Sequence, residues 1–173
     1  LTITAAGGNV TFTGAVGGGE RLGTLNIVTA ANVTAAGLIL TAFDQDNGTG
    51  LTTFNGAVNT DTAAGVLVEN VNLAVNAAVT TTNSGVVTFT QSGATTIAAA
   101  GDIVSDGAVT ITSGGGTATS ADVTTTRDVI QFASNTAVND DLTLNTTSGG
   151  AAGAGITFGA NITNGGTNDL ILN

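Results

Sequence analysis

Short runs of alternating apolar and polar residues, each broken by glycine, recur along this chain. Residues 9–16 read NVTFTGAV, so Phe12 lies in an alternating run that breaks at Gly14. The run returns in altered form around four more of the six phenylalanines, Phe54, Phe89, Phe132 and Phe158. A strand that recurs together with its turn is typical of a repetitive β architecture.

The alternation predicts strands of about three to five residues, separated by clusters of Gly, Asn, Asp or Ser. No apolar period of 3.6 residues lasts long enough to predict a helix. We place strands within residues 1–4, 9–16, 25–28, 32–34, 38–40, 51–58, 66–68, 71–75, 86–90, 96–98, 102–104, 109–112, 123–124, 129–133, 142–145, 155–158 and 170–172. Residues 44–50, 80–85 and 114–116 are predicted to be loops or links.

The strand pattern favours a solenoid over a β-sandwich. The strands are shorter than a sandwich normally uses, and the nearest hairpin signals are Asn47-Gly48 and Asn55-Gly56. Phenylalanines 12 and 54 lie 42 positions apart and phenylalanines 89 and 132 lie 43 apart, near two coils of about 20 residues. We therefore expect an all-β chain that folds as a parallel β-helix of about eight coils. Stacked at ~4.8 Å, the coils would form a rod roughly 40 Å long.

Within such a rod, inward Val, Ile, Leu and Phe side chains should stack on their counterparts in the next coil. Thr should line the solvent face, and Asn at the coil corners can hydrogen-bond to neighbouring coils. Each coil of a solenoid is stable only against its neighbours, so end coils normally need caps. The sequence shows no polar, proline-bearing or helical cap. We therefore expect the array to continue with more coils, or copies to associate end to end.

Composition narrows the function classes. The 173 residues, expected to form a single solenoid segment over 1–173, are 42% hydrophobic with 26 Gly and no Pro. Because the chain has two basic residues and a net charge of −10, nucleic acid binding is close to excluded. No apolar run approaches the ~18 residues of a membrane helix, so no membrane span is predicted. The absence of Met and of a signal-like segment suggests a mature chain or an excised segment.

The residues for catalysis are largely missing. His, Cys, Lys and Tyr do not occur, which removes most general bases and nucleophiles, so we predict no enzyme, no catalytic residue and no cofactor. Asp140 and Asp141 are adjacent, and in an extended segment their side chains would point to opposite faces. Arg127 and Asp128 are read as a surface ion pair.

Two segments carry weak calcium signals. From Asp44 to Gly50 the sequence DQDNGTG opens like a calcium loop, but Asn55 stands where an EF-hand places its bidentate Glu. Residues 165–171 match part of the calcium-binding nonapeptide repeat, which acts only in stacked copies. A solvated turn is the favoured interpretation of both segments, and no metal site is assigned.

The repeats resemble a known class. Residues 9–18, followed by 22–27, are similar to repeats of filamentous-haemagglutinin-like and β-strand-repeat adhesins, which are large secreted bacterial proteins. Residues 156–160, 168–173 and 101–108 look like units of the same arrays. The resemblance implies a right-handed parallel β-helix, export to the cell surface and a role as a stalk or fibre. It carries over no functional residues.

The expected function is thus a structural rod or fibre segment at the bacterial surface, supporting adhesion or an extracellular filament. Its partners would be further repeats or other copies, with a host or surface glycan as a possible ligand. A carbohydrate- or calcium-binding module that uses irregular loops such as 44–50 remains an alternative. A β-sandwich pilin, with residues 1–4 as a donor strand, is another.

Overall fold

The computed structural model describes residues 1–148, 150 and 152–173 of the chain. Within these residues all secondary structure consists of short β-strands, and every strand pairing is parallel. The strands form three sheets that wind around one core as a β-solenoid. The predicted all-β parallel β-helix is therefore confirmed.

The strands are numbered in chain order. Sheet 1 runs through β1 (Thr2–Thr4), β3 (Leu25–Thr29), β6 (Phe43–Gln45), β9 (Val66–Asn70), β12 (Val87–Gln91), β15 (Val109–Ser113), β18 (Ile130–Phe132) and β21 (Ile156–Phe158). Sheet 2 runs through β2 (Val10–Phe12), β4 (Val33–Ala35), β7 (Leu51–Phe54), β10 (Asn72–Val75), β13 (Thr95–Ile97), β16 (Thr117–Thr119), β19 (Thr136–Val138) and β22 (Ile162–Asn164). Sheet 3 runs through β5 (Leu38–Leu40), β8 (Val58–Thr60), β11 (Val79–Thr81), β14 (Ile103–Ser105), β17 (Val123–Thr125), β20 (Leu142–Asn145) and β23 (Leu170–Leu172).

One coil consists of a strand from each sheet, taken in the order 1, 2, 3. Seven coils have all three strands. An additional first coil has β1 and β2, and its third side is reduced to two isolated bridges, Val16 to Leu38 and Leu22 to Leu40. Partners in neighbouring coils lie between 18 residues (Leu25 to Phe43) and 28 residues (Leu142 to Leu170) apart. Counted with the incomplete first coil, the stack has the eight levels expected from the sequence.

The phenylalanine repeat changes sheet partway along the stack. Phe12 and Phe54 lie on sheet 2, whereas Phe89, Phe132 and Phe158 lie on sheet 1. The intervals of 42 and 43 residues do each cover two coils. The interval of 35 residues between Phe54 and Phe89 includes the change of sheet. The interval of 26 residues between Phe132 and Phe158 is a single enlarged coil. The repeat therefore marks inward strand positions but not one fixed side of the solenoid.

Inward side chains form continuous rows along the stack. On sheet 1, one row pairs Val66 with Val87, Val87 with Val109 and Val109 with Ile130. These four side chains are fully buried. Such identical or similar β-branched neighbours pack well on a pleated surface, and the buried residues form one core that runs from coil to coil.

Phenylalanines link the sheets as well as the coils. The rings of Phe132 and Phe158 stack in register with centroids 5.5 Å apart and an interplanar angle of 13°. The rings of Phe43 and Phe54 belong to different sheets of one coil and meet edge to face, also at 5.5 Å. Aromatic pairs of both geometries add stabilisation beyond the apolar area that they bury.

Thr occurs on the outward side of the strands, as expected at Thr88 and Thr110, but the interior is not wholly apolar. Nine threonines are buried: Thr52, Thr60, Thr81, Thr95, Thr117, Thr119, Thr125, Thr136 and Thr146. Many of them have partners inside the stack. The hydroxyl of Thr95 donates to Oε1 of Gln91 at 2.7 Å, and Nε2 of Gln91 donates to the carbonyl oxygen of Val68 at 3.0 Å. Such bonds offset the cost of burying a polar group.

Several strands were missed or placed in loops by the sequence pattern. β6 begins at Phe43 and extends into the predicted 44–50 loop, β11 extends into the predicted 80–85 link, and β16, β19 and β22 were not predicted at all. Strands β16 and β19 place threonines at buried positions, so their hydropathy does not alternate. The predicted hairpin signals are corners of parallel coils instead, and Gly48 bridges to Ala30 in the preceding coil.

The β-sandwich pilin alternative is wrong for this chain. It required antiparallel pairing and a free donor strand in residues 1–4. Residues 2–4 instead form β1, which pairs parallel with β3 as the first strand of sheet 1.

Close stacking at the corners predicts unequal effects at two glycines of the same motif. A Cβ on Gly56 would overlap the carbonyl oxygen of Ala36 in the coil below. A Cβ on Gly14, which lies in the first coil, would meet no atom within 4 Å. We expect Gly56→Ala to lower the free energy of unfolding by about 3 kcal/mol, and Gly14→Ala to change it by less than about 0.5 kcal/mol. Denaturant unfolding of both variants tests this, and equal effects would contradict the stacking described here.

Candidate functional site

The two end faces of the solenoid expose parts of the core. In the first coil, five partly buried side chains pack against the core from one side only, and these are Ile3, Ala5, Phe12, Val16 and Leu22. They lie at inward positions of the three sides, two on sheet 1, one on sheet 2 and two on the bridged third side. This face, called here the first-coil face, is therefore a mainly apolar surface ringed by strand edges.

The opposite end has the same construction. Ile156, Phe158, Ile162, Leu170 and Leu172 occupy inward positions of β21, β22 and β23, as their partners in the preceding coil show. Ile162 is 42% exposed and Leu172 is 53% exposed, whereas the corresponding Leu144 is fully buried. This face is called the last-coil face. Its one polar inward residue, Asn164, has its amide bonded to the carbonyl oxygen of Asn168.

Asparagines form a corner row immediately before sheet 2. Oδ1 of Asn9 accepts the backbone N–H of Asn32 at 3.2 Å, and Oδ1 of Asn32 accepts the N–H of Leu51 at 2.8 Å. Further along, Oδ1 of Asn72 and of Asn135 accept the N–H groups of Ala94 and Asn161 in the next coils. The expectation that corner asparagines bond neighbouring coils is confirmed.

Aspartates form a second corner row immediately before sheet 3. Oδ1 of Asp102 accepts the N–H of Asp122 at 3.0 Å, and Oδ1 of Asp122 accepts the N–H of Thr143 at 2.7 Å. Two positions earlier in the register, and so outside this row, Oδ1 of Asp141 accepts the N–H of Asp169 at 2.8 Å. Stacked carboxylates repel each other, but each of these accepts a charge-assisted bond from the adjacent backbone. In both rows the acceptor lies in the earlier coil and the donor in the later one.

The segment from Asp44 to Gly50 is not the irregular loop that the calcium hypothesis required. Its first two residues end β6, and the side chain of Gln45 is buried. The N–H groups of Asp46 and Gly48 bond to coils on opposite sides, at the carbonyl oxygens of Ile27 and Glu69. The segment is therefore a stacked corner. Across the described residues, three or more carboxylates nowhere come together in a way that could hold a metal ion.

Residues 165–171 also differ from a calcium repeat. Oδ1 of Asn164 accepts the N–H of Gly166, and Nδ2 of Asn168 donates to the carbonyl oxygen of Val138. Leu170 then enters β23. This corner stacks on a coil of different sequence, so the paired nonapeptide turns of that motif are not formed here.

The predicted ion pair is replaced by another. In the described part of the chain, the ion pair within 4.0 Å joins Nε of Arg21 to Oδ2 of Asp61 at 3.0 Å, and Arg127 has none. Arg127 has a positive φ of 86° in the turn after β17, next to Asp128, whose carbonyl oxygen accepts the hydroxyl of Thr125. Arg21 also donates to the carbonyl oxygens of Leu40 and Asn59, so it ties the first coil to the two that follow.

The surface hollows are lined by few charged side chains. One of about 280 Å³ borders Asp46 and Glu69, one of about 200 Å³ lies over Ala118 and Ala137, and one of about 430 Å³ adjoins Arg21. Asp140 and Asp141 make separate bonds, because Oδ1 of Asp140 accepts the N–H of Asp141 while Oδ1 of Asp141 accepts the N–H of Asp169 in the next coil. The polar corner rows are therefore the chemical feature that recurs along the described stack.

Comparison with models of known protein families, with curated proteins and with solved structures finds no match to this chain. In the described residues, no helix is long and apolar enough to cross a bilayer. The proposed function therefore rests on the geometry of the stacked coils.

The acidic corner predicts a pH-dependent stability. Burial raises the pKa of Asp44 above its ordinary value of 3.8, and repulsion from Asp46 and Glu69 raises it further. The folded chain thus retains this proton to higher pH than the unfolded chain, and that stabilisation is lost as pH rises above 3.8 through the raised value. We expect Asp44→Asn to raise the melting temperature at pH 7 and to change it little near pH 3.

The control is Glu20→Gln, which removes one negative charge from an exposed loop position. Thermal unfolding monitored by circular dichroism at both pH values measures the effect. A gain for Asp44→Asn that is equal at the two pH values, or equal to that of the control, would contradict the proposed repulsion.

Proposed function

We propose that this chain is a structural segment of a secreted bacterial surface protein, in which stacked coils form a rigid rod that supports adhesion or an extracellular filament. The observation that carries the proposal is the continuous coil-on-coil stack of three parallel sheets around one apolar core. A structural role of this kind depends on the shape and rigidity of the molecule and needs no catalytic group.

The physical basis is that each coil contacts mainly the coil before it and the coil after it. Stability is then approximately a sum of neighbour interactions, and added coils lengthen the rod without changing its cross-section. At ~4.8 Å per level, eight levels span roughly 40 Å. Longer rods built in this way would hold a binding element away from a cell surface.

The charge distribution supports the same role. Twelve carboxylates are distributed along the chain against two arginines, and the net charge is −10. Like charge keeps the sides of neighbouring rods apart, which opposes lateral clumping of exposed β-sheet faces.

A carbohydrate- or calcium-binding module has less support. The chain has no Trp or Tyr, and four of its six phenylalanines, Phe43, Phe54, Phe89 and Phe132, are fully buried. A sugar-stacking platform would need an exposed aromatic ring. The segment from Asp44 to Gly50, which was the suggested binding loop, is a stacked corner whose backbone groups bond to adjacent coils.

Two measurements test the structural role. Small-angle scattering of the chain should give a narrow, constant cross-section and a length of roughly 40 Å. Antibodies raised against the folded chain should label intact cells of the source bacterium. A periplasmic or cytoplasmic protein, labelled only after lysis, is the matched control for cell integrity.

A scattering profile of an expanded chain without a defined cross-section would contradict the rod. Labelling of the chain only after lysis would contradict the surface location, even if the rod itself is found.

A further inference from the structure

A polar hollow lies on the surface of the stack at the corner between sheet 1 and sheet 2. Side chains of three successive coils line it, with Asp46 from the first, Glu69 and Asn70 from the second, and Thr90 and Ser92 from the third. Sheet 1 pairs Glu69 with Thr90, and its register brings Asp46 beside Glu69. These oxygen-bearing side chains therefore start from positions about 4.8 Å apart along the stack.

One oxygen at this hollow is buried and accepts no hydrogen bond. Asn70 is 8% exposed, and its Nδ2 donates to the carbonyl oxygen of Asn72 at 2.6 Å. That bond fixes the orientation of the amide, so Oδ1 is the atom left without a donor among the described residues. A Cβ on Gly48 would overlap the side chain of Asn70, so glycine is required beside it. A buried acceptor without a partner is costly, and a group that satisfied Oδ1 would stabilise the fold.

The hollow is also negatively charged. In the described part of the chain, the ion pair within 4.0 Å joins Arg21 to Asp61, so Asp46 and Glu69 have none. The two carboxylates lie near each other, because both repel Asp44 and, after burial, raise its pKa. Two uncompensated charges and an unsatisfied neutral oxygen at one place attract a positive ion.

We propose that this hollow binds one divalent cation and that Ca²⁺ is the ion it fits. Ca²⁺ takes about six to eight oxygen ligands from carboxylates, amide carbonyls and water. Asp46, Glu69 and Oδ1 of Asn70 would bind the ion directly, and the hydroxyl groups of Thr90 and Ser92 or water would complete its shell. Mg²⁺ demands near-ideal octahedral geometry and gives up its water reluctantly, so an irregular set of ligands from three coils favours Ca²⁺.

The buried ligand is within the reach of a calcium ion. Oδ1 of Asn70 is closed to solvent. A Ca–O contact of about 2.3–2.6 Å is shorter than a hydrogen bond from water, which is about 2.7–2.8 Å, so an ion that has lost water can approach this oxygen more closely. The carboxylates of Asp46 and Glu69 would replace the water that the ion loses.

This site differs from the calcium loop suggested by the sequence. That loop would take its ligands from the single segment 44–55, whereas the ligands proposed here come from three coils and include two carboxylates only. An ion bound between coils would hold them together at a corner where their charges repel. The inference goes beyond the proposed rod function and does not depend on it.

The test is calorimetric titration of the polypeptide 1–173 with CaCl₂ after removal of bound metal by a chelator. We expect one site per chain with a Kd of about 10⁻⁴ to 10⁻³ M, as in extracellular calcium modules. Because the ion binds the folded chain, the melting temperature should be higher in CaCl₂ than in EDTA. MgCl₂, and NaCl at the same ionic strength, should give smaller shifts.

Three variants locate the site. Glu69→Gln removes one carboxylate from an exposed position, so the fold should be retained while calcium affinity falls at least about tenfold. Glu20→Gln makes the same change in an exposed loop and should leave binding unchanged. Asn70→Asp adds a carboxylate to the direct ligands, so we expect a lower melting temperature in EDTA and tighter calcium binding that restores it.

An absence of calcium binding by the unmodified chain, or equal affinity of the unmodified chain and Glu69→Gln, would overturn the site. Equal shifts of the melting temperature with CaCl₂, MgCl₂ and matched NaCl would overturn it as well, because they would report screening of the net charge. A loss of affinity in Glu20→Gln as large as that in Glu69→Gln would place the ion elsewhere and contradict the proposal.

Discussion

Parallel pairing between successive coils is the interaction on which the whole structure depends. Each strand is only three to five residues long, so no coil buries enough surface to be stable alone. Backbone bonds along three sheets and inward rows such as Val66, Val87 and Val109 stabilise each coil against its neighbours. This constraint also explains the tight corners, where the coil spacing leaves no room for a side chain at Gly56.

Register along the stack is held by polar groups as well as apolar ones. Apolar rows of similar side chains would tolerate a slip, whereas the bond from Gln91 to the carbonyl oxygen of Val68 and the corner bonds of Asn9 and Asp102 each join specific positions of adjacent coils. Buried or corner polar groups left without partners are costly, so a slipped coil would lose these bonds without replacement. The rows therefore favour one alignment of coil on coil, which gives the rod uniform geometry.

The same interactions connect fold to function. The last described coil is built from the same inward positions as an interior coil. Leu172 and the buried Leu144 occupy equivalent inward positions and differ mainly in exposure. The net charge of −10 opposes lateral contact between stacks, as the proposed rod requires.

The sequence by itself determined the all-β class, the coil length and the number of levels, because alternation around residues such as Phe12 and Phe54 reports local strand geometry. It also indicated that corner asparagines bond adjacent coils. Only the tertiary structure decided that the phenylalanine repeat changes sheet at Phe89, that Thr117 and Thr119 are buried, and that the segment from Asp44 to Gly50 is a stacked corner. The physical reason is that these features depend on the residue one coil away, about 20 positions along the chain, and local hydropathy does not record that neighbour.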